Sequence, residues 1–247
     1  MIHYALPLLI MTESGSIAIR AALIIPALNE EAVIEQTLDA IPPDLYSLII
    51  VADNGSTDRT VALAAGRGAM VVSRPEKGYG AACLQAIAAL PASIEAVVFM
   101  QADNSEVASE ARLLLAPIAR GEADLVIGSR VLGNAEPGSL LPHQRFGNDV
   151  AITLIHSFWG HRYTDLGPYR AISVARLNAL GMTDRNYGWT VEMQVRALQH
   201  GLRVLEIPVT YRVRAAGENK VSGNLMTSIK AGAKIIWTIV RLLVSRS

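Results

Sequence analysis

Short apolar runs recur along the first half of the chain, each ending in a polar or glycine-containing turn and followed by a segment with helical spacing. The runs cover residues 22–25, 48–51, 70–72, 96–100 and 125–127, and the segments 30–40, 58–65, 80–90 and 109–120 between them read as helices. Near-continuous aliphatic strands alternating with amphipathic helices predict an α/β fold, with a mostly parallel central sheet flanked by helices. In such sheets ligands bind beyond the carboxyl ends of the strands, and this chain places its polar motifs there. Between residues 133 and 190 the alternation stops, and Gly, Pro and aromatic residues become frequent. Helices over 143–159 and 190–200, a strand over 202–211 and a last helix over 225–244 complete the pattern.

The expected organisation is an extension over 1–19, one domain over 20–224 whose halves are 20–130 and 131–224, and a C-terminal amphipathic helix over 225–247. Lys230, Lys234, Thr238 and Arg241 share one stripe of that helix, and Ala233, Ile236, Trp237, Val240 and Leu243 share another. Such a helix docks on its own domain by default, or lies in a membrane interface.

Composition narrows the function classes. Half the residues are apolar, enough for a substantial core in 247 residues. Lys plus Arg equals Asp plus Glu at 22 each, which argues against a protein that coats nucleic acid. Cys83 is the one cysteine, so no internal disulfide forms, and its setting in Ala81-Ala82-Cys83-Leu84 is that of a buried small hydrophobe. No run approaches the ~20 apolar residues that span a bilayer, so a cytoplasmic location is expected.

Four motifs sit at strand ends. In Pro26-Ala27-Leu28-Asn29-Glu30-Glu31, Asn29 can cap the next helix and the two acids suit its first turn. Taken alone this is an ordinary strand–helix junction. In Asp53-Asn54-Gly55-Ser56-Thr57-Asp58, Asp53 can accept hydrogen bonds from a base or ribose. Gly55 permits a positive-φ turn there, and Ser56 or Thr57 can cap a helix. In Lys77-Gly78-Tyr79-Gly80, glycines before a helix let backbone N–H groups approach a phosphate, with Lys77 adding charge. In Gln101-Ala102-Asp103-Asn104-Ser105, an apolar strand delivers an acid that could hold a hard cation against a diphosphate.

Together and in this order the motifs resemble glycosyltransferase family 2, through its P-x-x-N-E turn, D-N-G-S-T-D turn, K-G-x-G helix start and D-x-D metal loop. The likeness continues through Ile127-Gly128-Ser129-Arg130, Thr164-Asp165-Leu166-Gly167-Pro168-Tyr169-Arg170 and Glu206-Ile207-Pro208-Val209, and so covers residues 20 to 225. The ending Arg214-x-x-Gly217-Glu218-Asn219-Lys220 most resembles the dolichyl-phosphate mannosyltransferase and polyprenyl-phosphate glycosyltransferase branch. The resemblance implies the GT-A fold, a nucleotide-sugar donor of the GDP-mannose or UDP-glucose type, and a divalent metal, Mg²⁺ or Mn²⁺. It also implies inverting transfer to an acceptor such as a polyprenyl phosphate, with peripheral contact at the inner face of the membrane.

By that likeness Pro26, Leu28, Glu30 and Asp53 hold the nucleoside, and Lys77, Arg130, Arg214 and Lys220 meet phosphates. Asp103 holds the metal with Gln101, which stands where the family's first metal-loop Asp is expected and so removes one carboxylate. The segment 212–223 has the composition of a lid over the diphosphate. Asp165 and Glu192 are the candidates to deprotonate an acceptor or orient the sugar; a loop-closing hydrogen bond and a helix-start charge are their alternatives. Two rival readings stay open. One is a nucleotidyltransferase, which would want a glycine-rich basic loop after the first strand, and the other is a non-catalytic sugar-nucleotide-binding protein.

Overall fold

The computed structural model describes residues 19–73, 77–216 and 225–245, with the side chains of 225–229 left aside. Seven strands form one sheet: β1 (Ala21–Ala27), β2 (Leu48–Asp53), β3 (Met70–Ser73), β4 (Ala96–Phe99), β5 (Leu125–Ala135), β6 (Arg170–Ser173) and β7 (Val204–Tyr211). Their order across the sheet is β3-β2-β1-β4-β6-β5-β7. All run the same way except β6, which pairs antiparallel with both β4 and β5. The carboxyl ends of β1, β2, β4 and β5 therefore share one edge with the entrance to β6.

Alternation along β1 shows why both faces must be covered. Ala22 and Ile24 belong to one apolar layer, Leu23 and Ile25 to the other. The first layer packs under α3 (Tyr79–Ala88), α5 (Pro142–Trp159), α6 (Val174–Leu180), α7 (Trp189–Gln199) and α8 (Leu225–Val244). The second packs under α1 (Ile34–Asp39), α2 (Thr60–Gly66) and α4 (Ala111–Ala119). Side chains such as Ile24, Leu23 and Ile50 have no exposure, and each stabilises the fold by about 1.5–3 kcal/mol relative to an exposed position.

Several expectations need revision. Strand β6 and helix α6 were not expected, because only Ala171-Ile172 mark the strand, within a Gly/Pro-rich region. Helix α1 starts at Ile34 rather than residue 30, since Glu30 O already accepts from Val33 and Ile34 in a turn. β5 continues to Ala135, with a register irregularity against β7 between Ser129 and Asn134. There Gly133 crosses Val209 so closely that a Cβ would lie 2.0 Å from Val209 O.

Helix α8 docks on the domain, with Ala231, Ile239 and Leu242 inward and with part of the polar stripe turned inward beside them. Lys234 Nζ lies 2.9 Å from Asp184, Arg241 lies 3.2 Å from Glu192, and Thr238 is fully buried. Ile236, Trp237, Val240 and Val244 point outward, Trp237 at 61% exposure. Two acids on the domain receive the inward cations. Asp184 and Glu192 are buried, and buried carboxylates need cationic partners. Among the described residues no helix is long and apolar enough to cross a membrane.

Candidate active site

The turns after β1 and β2 are stitched together rather than capping their own helices. Asn29 takes a left-handed φ of 51°, accepts the Thr57 N–H at 2.8 Å, and donates its own N–H to Ser56 Oγ at 3.0 Å. Glu30 N–H donates to Thr60 Oγ1 at 2.7 Å. Asn29, Ser56 and Thr57, each expected to cap a helix, are thus spent on joining two loops. Pro26 and Leu28 stay half-buried at the same edge.

Asp53 closes its own turn, accepting from Ser56 N at 3.0 Å and Ser73 Oγ at 3.1 Å, with Gly55 at the expected positive φ of 85°. It is buried rather than partly solvated, and Lys77 lies exposed beside Gly55. Gly78 and Gly80 have a reason other than phosphate approach. A Cβ on either would stand 2.1 Å from the backbone carbonyl of Arg185 or Asp184, and Ala81 N donates to Arg185 O at 2.9 Å. They let the start of α3 press against the loop before α7.

The loop after β4 gathers oxygens. Asp103 Oδ1 accepts from Ser105 N at 3.1 Å and Ser105 Oγ at 2.6 Å, and the same hydroxyl reaches Gln101 Oε1 at 3.4 Å. Beneath them Glu106 accepts the Gln101 N–H at 2.7 Å, while its buried Oε1 finds no hydrogen-bond partner among the described residues. Burial pushes its carboxyl up to about 8, and the nearby Asp103 charge works in the same direction. The donor set of Asp103, Gln101 and Ser105 is all oxygen, the chemistry that suits Mg²⁺ or Mn²⁺. Among the described residues no three acidic, histidine or cysteine side chains converge as a metal cage.

Arg214 closes this side. Its guanidinium bonds Glu30 Oε2 and lies 3.4 Å from Asp103 Oδ2. Glu30, Asp103 and Arg214 therefore meet, across 184 positions of sequence. Lys220, Gly217 and most of the expected lid lie outside the described residues.

Arg130 and Asp165 form the second cluster. Asp165 Oδ2 accepts from Arg130 N at 2.9 Å and Nε at 2.8 Å, and Oδ1 accepts from Nη2 at 2.8 Å. The guanidinium also stacks 5.1 Å from the Tyr211 ring centroid. Burial opposes the Arg130 charge, yet the hydrogen bonds and charge of Asp165 outweigh it and raise its pKa. Glu206 anchors the Asp165 loop by accepting from Thr164 N, Thr164 Oγ1 and Asp165 N at 2.8–3.1 Å. Arg170, fully buried, donates to the carbonyls of Leu166, Gly167 and Thr190. Glu106, Ser105, Glu206 and Arg170 are additions to the expected set, and all but Glu106 lay inside motifs already quoted.

Beside this pair a cleft of about 340 Å³ opens between the end of β5 and the start of α5, lined by Arg130, Asn134, Gln144, Arg145, Asn148 and Asp165 among others. A cleft of the same volume lies at the opposite edge, among Arg20, Tyr46, Glu95 and Arg112, away from every motif. Glu192 is not brought to either cluster. Its carboxylate is fully buried, accepting from Thr183 N, Thr183 Oγ1, Asp184 N and Arg196, and pairing with Arg241. Trp189 and Tyr163 are core residues, Trp189 edge-on to Phe99 at 6.2 Å. Cys83 is buried, and burial raises its thiol pKa.

Known proteins resemble this chain in sequence and in fold. The model of glycosyl transferase family 2 matches residues 22–180. An uncharacterized glycosyltransferase of Mycobacterium tuberculosis is 37% identical over 211 residues, 85% of this chain and 93% of that one. The undecaprenyl-phosphate mannosyltransferase of Micrococcus luteus is 30% identical over 84% of this chain and 89% of its own. Among solved structures, glucosyl-3-phosphoglycerate synthase from M. tuberculosis, in complex with Mn²⁺, UDP and glucosyl-3-phosphoglycerate, superposes with a TM-score of 0.74. It is 24% identical, over 92% of this chain and 80% of that one. The nucleotidyltransferase reading falls away: the chain belongs to glycosyl transferase family 2 and is a glycosyltransferase of the GT-A fold.

Proposed function

We propose that this glycosyltransferase takes a sugar from a nucleotide-sugar donor of the GDP-mannose or UDP-glucose type and passes it, with inversion, to a polyprenyl phosphate at the cytoplasmic face of a membrane. The observation that carries the acceptor class is that both candidate bases are engaged. Asp165 has its two oxygens bound by Arg130, and Glu192 is enclosed by Thr183, Arg196 and Arg241. A hydroxyl acceptor needs a base as it attacks. A phosphate oxygen is already anionic and attacks the anomeric carbon without one. Arg130 and Arg145 on the cleft walls suit such a group, and the exposed Val131, Leu132 and Phe146 nearby offer footing for a lipid tail. The names of the relatives from Micrococcus luteus and Mycolicibacterium smegmatis, the latter a polyprenol monophosphomannose synthase, support the same class.

On the donor side Pro26, Leu28, Glu30 and Asp53 take the nucleoside, and Lys77, Arg214 and Lys220 the diphosphate. Asp103 and Gln101, with Ser105, would hold Mg²⁺ or Mn²⁺, whose charge offsets that of the departing nucleotide. The solved neighbours described with Mn²⁺ or Mg²⁺ and UDP support that choice. Asp165 is then a positioning residue that fixes Arg130 between the two substrates. The outward apolar stripe of α8 fits an interfacial helix. No acidic residue follows Glu218, and Lys230 is exposed.

The test is transfer from radiolabelled GDP-mannose or UDP-glucose, with Mn²⁺, to undecaprenyl phosphate in anionic liposomes. Label that moves into the organic phase only when the lipid phosphate is present is the expected result. Nucleotide-sugar binding with transfer only to water-soluble hydroxyl acceptors overturns the acceptor class. Failure to bind any nucleotide sugar overturns the donor class.

A further inference from the structure

The cation that balances the two donor-side acids in this structure is Arg214. Its Nη2 bonds Glu30 Oε2, its Nη1 lies 3.4 Å from Asp103 Oδ2, and its Nε donates to Ala216 O at 2.7 Å. All three side chains are largely buried: 17% of Arg214, 8% of Glu30 and 11% of Asp103 remain exposed. The backbone around Arg214 is tied to the loop after β4. Arg212 N donates to Ser105 O at 2.7 Å, Ala215 N to Asp103 O at 3.2 Å, and Tyr211 bridges Glu106. The guanidinium is therefore held on the oxygens assigned to nucleoside and metal, and it does not arrive there on a loose arm.

Two carboxylates drawn together out of water need a compensating cation, and a guanidinium serves them both. A divalent ion arriving alone would have to compete with that charge for Asp103. It would also leave Arg214 displaced beside a second cation, with no new anion to receive it. A nucleoside diphosphate changes the balance, because its oxygens accept Arg214 as the ion takes Asp103. We infer that Arg214 is an internal counter-ion that pairs Glu30 with Asp103 in the unloaded enzyme and moves to the diphosphate when the donor enters. Metal and nucleotide consequently bind as a unit. This inference rests on the donor reading above and assigns Arg214 a second role besides phosphate contact.

The test is Mn²⁺ titration of the full chain by electron paramagnetic resonance, with and without UDP or GDP, on the wild type, Arg214→Gln and Arg214→Lys. Without nucleotide, Arg214→Gln should bind Mn²⁺ about tenfold more tightly than the wild type, within the usual range for coupled sites. Arg214→Lys keeps the charge and should gain less. With nucleotide, Arg214→Gln should lose its advantage, because the diphosphate contact is gone. A residue that served only to hold the loop would weaken Mn²⁺ binding when replaced. Equal or weaker nucleotide-free binding in a folded Arg214→Gln therefore overturns the proposal. Should that variant fail to fold, Arg214→Lys binding no more tightly than the wild type overturns it alone. A wild type that binds neither UDP nor GDP with Mn²⁺ would sink the donor reading, while the nucleotide-free arm still reads the Arg214 contact by itself.

Discussion

The two ends of the active edge are built differently. At the donor end much of the bonding to the acids comes from residues two or three positions on, Gly55 and Ser56 on Asp53, Thr60 on Asp58 and Ser105 on Asp103, with Arg214 as the distant cation on Glu30 and Asp103. At the acceptor end the bonds run between separate elements, with Arg130 on both oxygens of Asp165 and Thr164 on Glu206. The first kind of acid keeps its place through turn geometry and leaves spare acceptor capacity for a ligand. The second kind is committed to holding elements together. A substitution should therefore cost function at the donor end and stability at the acceptor end.

The largest expected effect tests the donor half of that contrast. Asp103→Ala should lower transfer by about a thousandfold or more, as losing a main transition-state stabiliser does, with the melting temperature nearly unchanged. Full activity in the folded variant would remove the loop after β4 from the chemistry. At the other end, Asp165→Ala strands the buried Arg130 charge and should cost about 3 kcal/mol in urea unfolding. The matched Asp53→Ala should cost about 1 kcal/mol, since neutral hydrogen-bond donors in its turn and Ser73 lose a partner but no buried charge is stranded, while donor affinity falls. Equal stability losses in the two variants would erase the distinction.

The smallest effect is a pH dependence away from both ends. Hydrogen bonds from Arg203 hold Asp124 at about 2, although partial burial works in the other direction. A folded pKa below the unfolded value of about 3.9 contributes stability above that value, which is lost as pH falls through the folded pKa. The urea midpoint should thus drop between about pH 4 and pH 2, and drop less in Asp124→Asn. Because Arg203 is mostly exposed, solvent screens much of this, and the change should be the least of the three.

How much was legible in the sequence follows the same divide. The runs that became β1 to β5 and β7 stood out because each is a short aliphatic stretch, with β1 and β4 almost wholly buried, and the acids at their ends followed from position. The expected helix caps failed because Asn29, Ser56 and Thr57 found partners about 28 positions away, in a neighbouring loop. Propensity describes what such residues can do locally, and tertiary bonding decided otherwise. β6 was hidden by its length, and with it the antiparallel step that carries Asp165 to Arg130. Glu192 looked available at a helix start, and only the packed structure shows Thr183, Arg196 and Arg241 around it. The two-faced pattern of α8 was plain, but the inward face combines Ile239 and Leu242 with cations that meet Asp184 and Glu192, whose burial no local pattern shows.

The outward placement of Trp237 gives the molecule its own reporter. Of the three tryptophans, Trp189 is sealed in the core at 1% exposure, Trp159 is half-buried, and Trp237 stands 61% open on α8. An indole that leaves water for a lipid headgroup region shifts its emission to shorter wavelength, whereas one already buried does not. Fluorescence of the unlabelled protein therefore follows any engagement of that helix with vesicles in real time, against a background set by the other two rings. Acrylamide should quench Trp237 in solution and lose access to it on a surface. The same exposed ring makes self-association through α8 visible as the protein is concentrated, so the two kinds of burial are separated by adding vesicles at fixed dilution.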